Sequence, residues 1–198
     1  MTTGTRILAE GAAAVLAAGL LSVAVAAPRL DASRLMQTLA GVRSASASFV
    51  ETRYSPLLKS PLVSHGTLSY RRPDRLEKIV VSPHQERIAL HGDRLTIDSP
   101  PAGRREISLD AGTSGIATLI EAVRATRAGD LARLERDFDV VVSGTLDDWQ
   151  LRLKPRAADV GQYVSAVGVW GSGPRLQRVE VWEASGDRTV MEIDEATD

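Results

Sequence analysis

The chain has no cysteine. That excludes disulfides, thiolate metal sites, a nucleophilic thiol and a lipid-attachment cysteine. Aromatic residues are scarce, with two Phe, three Trp and three Tyr among 198 residues. So few do not suit a protein that stacks on bases or sugar rings. No excess of one charge is present: 24 basic against 25 acidic side chains leave a net charge of -1. A nucleic-acid partner or an anionic membrane surface is therefore not favoured. Arg71-Arg72 and Arg104-Arg105 are too short to make a polyanion site.

Catalytic constellations are also lacking. His65, His84 and His91 have no close-spaced metal-ligand pattern. Ser114 lies in Gly-Thr-Ser-Gly, which lacks the spacing of a nucleophile elbow. His91 beside Asp93, and the pair Asp147-Asp148, read as turn chemistry before they read as a general base or a carboxylate pair. The expectation is a protein that is not an enzyme, with no metal and no cofactor.

Only one long apolar run occurs, from Gly11 to Ala26, preceded by Arg6 and ending in Ala24-Val25-Ala26. A small-x-small end of this kind is what signal peptidase reads, so residues 1–26 are expected to be a cleaved secretory signal and the mature protein periplasmic. The run is short and rich in alanine for a retained span. Cleavage removes Arg6 and Glu10, and the net charge stays at -1. Residues 27–198 show no internal repeat and no long linker, and are read as one domain and a monomer.

The mature chain is dominated by short alternating runs. From Pro61 to Leu76, Leu62, Ser64, Gly66, Leu68 and Tyr70 fall on one side of an extended chain and Val63, His65, Thr67 and Ser69 on the other. Arg72-Pro73-Asp74 ends that strand and fixes an arginine at the corner of a hairpin, because proline gives no N–H to a ladder. Further strands are expected at 87–90, 94–98, 105–109, 138–144, 149–154, 160–170, 176–184 and 188–193, with His91-Gly92-Asp93 a strong hairpin turn. The run Ala45 to Tyr54 has two faces that differ little, which predicts an edge strand. Asp31 reads as the N-cap of a short helix carrying Leu35, Leu39 and Val42, with Gly41 near its end as a stop. Gly112 to Arg136 reads as helix, its apolar stripe Ile116, Leu119, Ile120 and Val123 leaving Glu121, Arg124 and Arg127 outside it. Gly129 interrupts, and Asp130 caps a second helix with Leu131 and Leu134. Two helices inserted in a meander must bury their stripes across one face of the sheet.

In order and spacing, four segments resemble the periplasmic outer-membrane lipoprotein carrier (LolA) family: Ser48-Phe49-Val50-Glu51-Thr52, Gly66-Thr67-Leu68-Ser69-Tyr70-Arg71-Arg72-Pro73, His91-Gly92-Asp93-Arg94-Leu95 and Leu151-Arg152-Leu153-Lys154-Pro155. The resemblance covers nearly all of the mature chain. It implies an α+β, β-rich fold, a curved and incompletely closed antiparallel barrel (a half-barrel) whose concave apolar face is lidded by helices. It also implies a carrier that receives acylated lipoprotein or lipid cargo from an inner-membrane exporter and gives it to an outer-membrane receptor. Arg72 then stands where the family's arginine bonds lid carbonyls and latches the empty form shut. Phe49, Leu68, Tyr70, Leu76, Leu90, Leu95 and Ile97 on the strands, with Ile116, Leu119, Ile120 and Val123 on the helix, are the expected acyl-binding residues. Periodicity by itself reads them equally well as ordinary core. The segment 53–64, and Glu77-Lys78 where the family usually has an aromatic residue, mark a divergent member, leaving the cargo open between lipoprotein, another lipid and a lipid-like pigment. Two other readings stay open, a periplasmic sensor of a lipid or protein and an enzyme acting on a small hydrophobic substrate.

Overall fold

The structure, a computed structural model, describes residues 30–100, 102–109 and 115–195, excluding the side chains of 115–119. The expected signal segment 1–26, Ser114 and the side chains of Ile116 and Leu119 lie outside the described residues.

Helix α1 (Ala32–Ala40) begins where Asp31 accepts a hydrogen bond from the Arg34 N–H at 2.7 Å, and it buries Leu35, Met36 and Leu39. A meander follows: β1 (Ser44–Tyr54), β2 (Leu62–Arg71), β3 (Arg75–Ser82), β4 (Glu86–His91), β5 (Arg94–Ser99) and β6 (Gly103–Ser108). Helices α2 (Gly115–Ala128) and α3 (Leu131–Asp137) come next, then β7 (Phe138–Gly144) and β8 (Trp149–Pro155). A one-turn helix α4 (Ala158–Gly161) precedes β9 (Val164–Ser172), β10 (Arg175–Glu183) and β11 (Arg188–Glu195). The strand expected from residue 160 thus starts later, because Val160 is buried in that helical turn.

The eleven strands among the described residues form one antiparallel, curved and unclosed sheet, in the order β6-β5-β4-β3-β2-β1-β11-β10-β9-β8-β7. The fold class expected from the sequence is the one found. The edge position expected for β1 is not: β1 is the sixth strand, paired to β2 on one side and to β11 on the other. Its inward residues Ala45, Ala47 and Glu51 face open space and not a packed core, so the alternation that marks a central strand is muted.

The inner face is filled unevenly. Over β7 to β10, α1 and α3 press Leu35, Leu39 and Leu134 onto Phe138, Trp149, Leu151, Leu153, Val167 and Val169. Trp149, Leu151 and Leu153 are fully shielded there, as the strict alternation of β8 requires. Gly129, at φ +69°, turns the chain between α2 and α3; a Cβ there would stand 2.2 Å from the Met36 carbonyl oxygen. Only glycine lets the end of α2 come so close to α1. Over β1 to β5, by contrast, Ile120, Val123 and Arg127 of α2 are the described helical residues that face the concavity.

Candidate ligand cavity

Beneath α2 lies a cavity of about 410 Å³, inside the range of roughly 300–1,000 Å³ usual for small-molecule sites. Its floor is Ala45 and Ala47 of β1 with Met191 and Ile193 of β11; Leu68, Leu76, Leu90 and Leu95 form one wall, and Val179 and Val181 the other. Ile120 and Val123 of α2 roof it. The register explains the first wall, since Tyr70 faces Leu76, Leu76 faces Leu90, and Leu90 faces Leu95 across successive strands. Two alanines at the centre, where the other half of the sheet has Trp and Leu, leave the space empty.

Of the expected acyl-binding residues with described side chains, Leu68, Tyr70, Leu76, Leu90, Leu95, Ile120 and Val123 line this cavity. Phe49 and Ile97 share the inner face but not the lining. Phe49 is packed against Gly66, where a Cβ would meet the Phe49 ring at 2.8 Å and the Ile79 carbonyl oxygen at 1.9 Å. Ile97 sits opposite Ile88, nearer the β6 edge.

Arg72 follows β2 at the hairpin corner. Its guanidinium donates through Nη1 to the carbonyl of Ala40 and through Nη2 to that of Ala128 at 3.4 Å. These are the last residues of α1 and α2. Two helix C-termini, each carrying partial negative charge on its free carbonyls, converge on one cation whose fork matches both.

Two more arginines fasten α2 and were not foreseen as buried. Arg127 donates through Nη1 to Glu195 at 3.0 Å and lies over the Tyr70 ring, 5.2 Å from its centroid. Arg124 donates to the Gly92 carbonyl at 3.1 Å and pairs with Glu121 at 2.7 Å. Their place off the apolar stripe signalled polarity only; burial comes from the carbonyls and carboxylates of the β4-β5 turn and of β11.

The lining has polar points. Tyr70 is only 5% exposed and its hydroxyl has no hydrogen-bond partner among the described residues. Burial pushes its phenol above the ordinary range, against the opposing pull of Arg72 and Arg127. Lys78 pairs with Glu51 at 2.6 Å, its ammonium 5.1 Å from the Phe49 ring centroid. Near Glu183 and Thr189, which also line the cavity, Arg53 donates to Asp187 at 2.8 Å and holds that carboxyl below its usual range. A wider recess of about 710 Å³ is lined largely by outer-face side chains, among them Arg71, Arg75, Arg87, Asp98 and Arg104. Those charges make it unsuited to hydrocarbon. Among the described residues no cluster of His, Asp and Glu is arranged to hold a metal, and no helix is long and apolar enough to cross a membrane.

The fold and its cavity together make an open antiparallel half-barrel with an apolar space beneath a helix that is fastened at its C-terminal end. The chain belongs to the family described as outer membrane lipoprotein carrier protein LolA-like, whose profile matches residues 24–196. Among curated relatives, the outer-membrane lipoprotein carrier protein of Bordetella pertussis is 29% identical over 188 residues, covering 93% of this chain and 85% of that protein. That of Bordetella avium is 27% identical over 183 residues, covering 89% and 82%. Among solved structures, a LolA superfamily protein from Nitrosomonas europaea superposes with a TM-score of 0.43 at 14% identity, covering 85% of this chain and 94% of that one. The Pseudomonas aeruginosa MucA/MucB complex gives 0.45 at 14% identity, covering 85% and 58%.

Proposed function

We propose that the protein is a periplasmic carrier that takes the acyl chains of a lipoprotein or another lipid into the cavity beneath α2 and moves them from the inner to the outer membrane. The observation that carries the reading is the apolar cavity of about 410 Å³ closed by a helix whose end is tied down by Arg72. Each buried methylene contributes roughly 0.8 kcal/mol, so even one long chain is held firmly. The family membership and the names of the Bordetella relatives support a lipoprotein as cargo.

In this reading Arg72 is the latch of the empty form. Its two bonds end on helix-terminal carbonyls that water can take over, so α2 swings out at a cost of only a few kcal/mol and cargo exchanges. An inner-membrane exporter loads the protein and an outer-membrane receptor unloads it. Residues 1–26 direct export and are removed, leaving one domain that works as a monomer without metal, cofactor or chemistry of its own.

Native mass spectrometry of protein purified from the periplasm without detergent, followed by solvent extraction, tests this. An acylated molecule at near one per protein, lost in Ile120→Asp, is the expected result. A protein that arrives empty and takes up no acyl probe overturns it.

A further inference from the structure

Exposed apolar side chains are not spread evenly over the molecule. Ten large ones are exposed among the described residues, and seven of them sit at the end of the sheet opposite Arg72, so the surface has one apolar end. Four belong to the β1-β2 hairpin: Leu57 and Leu58 at its tip, and Leu62 and Val63 where β2 begins. Leu57 is 93% exposed and touches almost nothing of its own chain. Val81 adds to them at the end of β3, which pairs with β2 there. Two tyrosines flank the tip. Tyr54 closes β1 with the Arg188 guanidinium 4.7 Å from its ring centroid, and Tyr163 accepts through its carbonyl from the Ala184 N–H at 3.0 Å, beside the end of β10.

The tip has little that needs water. Lys59 is the only charged residue from Tyr54 to Ser64, and the nearby carboxylates Glu183 and Asp187 are paired with Arg53. Pro56 and Pro61 have no N–H; the Leu58 N–H donates to the Ser55 carbonyl at 3.1 Å and the Leu57 N–H to the Ser55 hydroxyl at 3.4 Å. A segment that enters hydrocarbon needs its donors met in this way, because lipid tails offer no acceptor. Tyrosine rings favour the headgroup level, and a lysine stem lies along the apolar phase with its ammonium in water. A second copy of the chain fits less well: a tip of residues 55–61 cannot supply the roughly 800 Å² per partner of a stable protein interface, whereas a bilayer takes up single leucines. From this we infer that the β1-β2 tip inserts Leu57 and Leu58 into the outer part of a phospholipid bilayer, with Tyr54 and Tyr163 at the headgroups, while Arg72 and the ends of α1 and α2 lie at the far end. Glu86 and Asp159 on neighbouring elements are set against Lys59, so the lipid's charge matters little. The inference does not need the carrier reading.

The test uses the mature protein and co-sedimentation with sucrose-loaded vesicles, one set of phosphatidylcholine alone and one of phosphatidylethanolamine mixed with phosphatidylglycerol. Wild type is expected to sediment with both, the two partition coefficients within about threefold of each other and little changed by high salt. Leu57→Ser with Leu58→Ser is expected to lower partition at least about tenfold on both. Val141→Ser, at an exposed position on β7, leaves it within about twofold. Leu57 and Leu58 do not line the cavity, so uptake of an acyl probe by the double variant matches wild type and shows that it is folded. Binding to neither vesicle, binding that the double variant keeps, or binding confined to the anionic vesicles and lost in high salt overturns the inference and leaves the carrier standing. So does a wild-type dimer in light scattering that the double variant turns into a monomer, since the tip then belongs to a second copy. Vesicle binding without any acyl uptake overturns the carrier reading and leaves this inference in place.

Discussion

Replacing Arg72 with alanine removes both bonds that tie the ends of α1 and α2 to the hairpin corner, to the carbonyls of Ala40 and Ala128. A hydrogen bond from a charged donor nets about 1.5–3 kcal/mol in a shielded setting. Arg72 is exposed, so solvent screening reduces each bond to about 0.5–1 kcal/mol, with a few tenths added by the helix ends. The total is roughly 1–2 kcal/mol, a shift of about 5- to 30-fold in the equilibrium between fastened and free α2. Hydrogen exchange followed by mass spectrometry reads this directly. Amides of α2 from residue 120 to 128 are expected to exchange faster by that factor in Arg72→Ala, while those of β7 to β9, packed under α1 and α3, keep their rates. Arg72→Lys falls between the two, because an ammonium lacks the planar fork that spans two carbonyls. If α2 in Arg72→Ala exchanges at the wild-type rate, or if acceleration spreads evenly over the molecule, Arg72 is no latch and serves only as a strand-end cation.

Three further outcomes are expected. Gly66→Ala puts a Cβ 1.9 Å from the Ile79 carbonyl oxygen, so β2 or β3 must move; urea denaturation is expected to show a loss of about 2–4 kcal/mol, and an unchanged midpoint would contradict the packing. Arg127→Met leaves Glu195 with only the Leu176 N–H and no cation in a shielded place and is expected to cost on the order of 3 kcal/mol in thermal unfolding, part of it regained when Glu195→Gln is added; absence of any rescue refutes the pairing. In an ultraviolet titration, subtracting Tyr70→Phe from wild type is expected to isolate a phenol that ionises above the ordinary tyrosine range. Because its folded pKa is the raised one, its share of stability is whole below the ordinary phenol range and is lost as pH climbs through the raised value. A Tyr70 that titrates with the unfolded chain would show that it is not buried.

Much of this was legible in the sequence because strands and turns are local. The alternation of Leu62 to Tyr70 and the turn at Gly92 gave the meander, and Asp31 and Asp130 gave two helix starts that the structure reproduces. What was not legible depends on distant partners. The β1-β11 pairing that centres the sheet joins opposite ends of the chain, and β1 showed weak alternation because Ala45 and Ala47 border a void. Periodicity assigned Phe49, Leu68 and Ile97 to one face but not to a depth, and so did not separate Leu68 at the cavity from Phe49 beneath Lys78. The burial of Arg124 and Arg127 followed from acceptors on Gly92 and Glu195, which no pattern within α2 reveals.

The meeting of β1 and β11 at the middle of the sheet also sets an order of events for a chain made from one end. The first six strands pair with their sequence neighbours as they appear, and so do β7 to β11, but the two halves are sewn together only when the last strand reaches the first. Arg53 and Asp187, 134 residues apart, close that seam at one end. Loss of the final strand would therefore not trim a margin; it would leave two half-sheets with no shared floor and no cavity between them. The floor of the cavity is complete only once β11 lies beside β1.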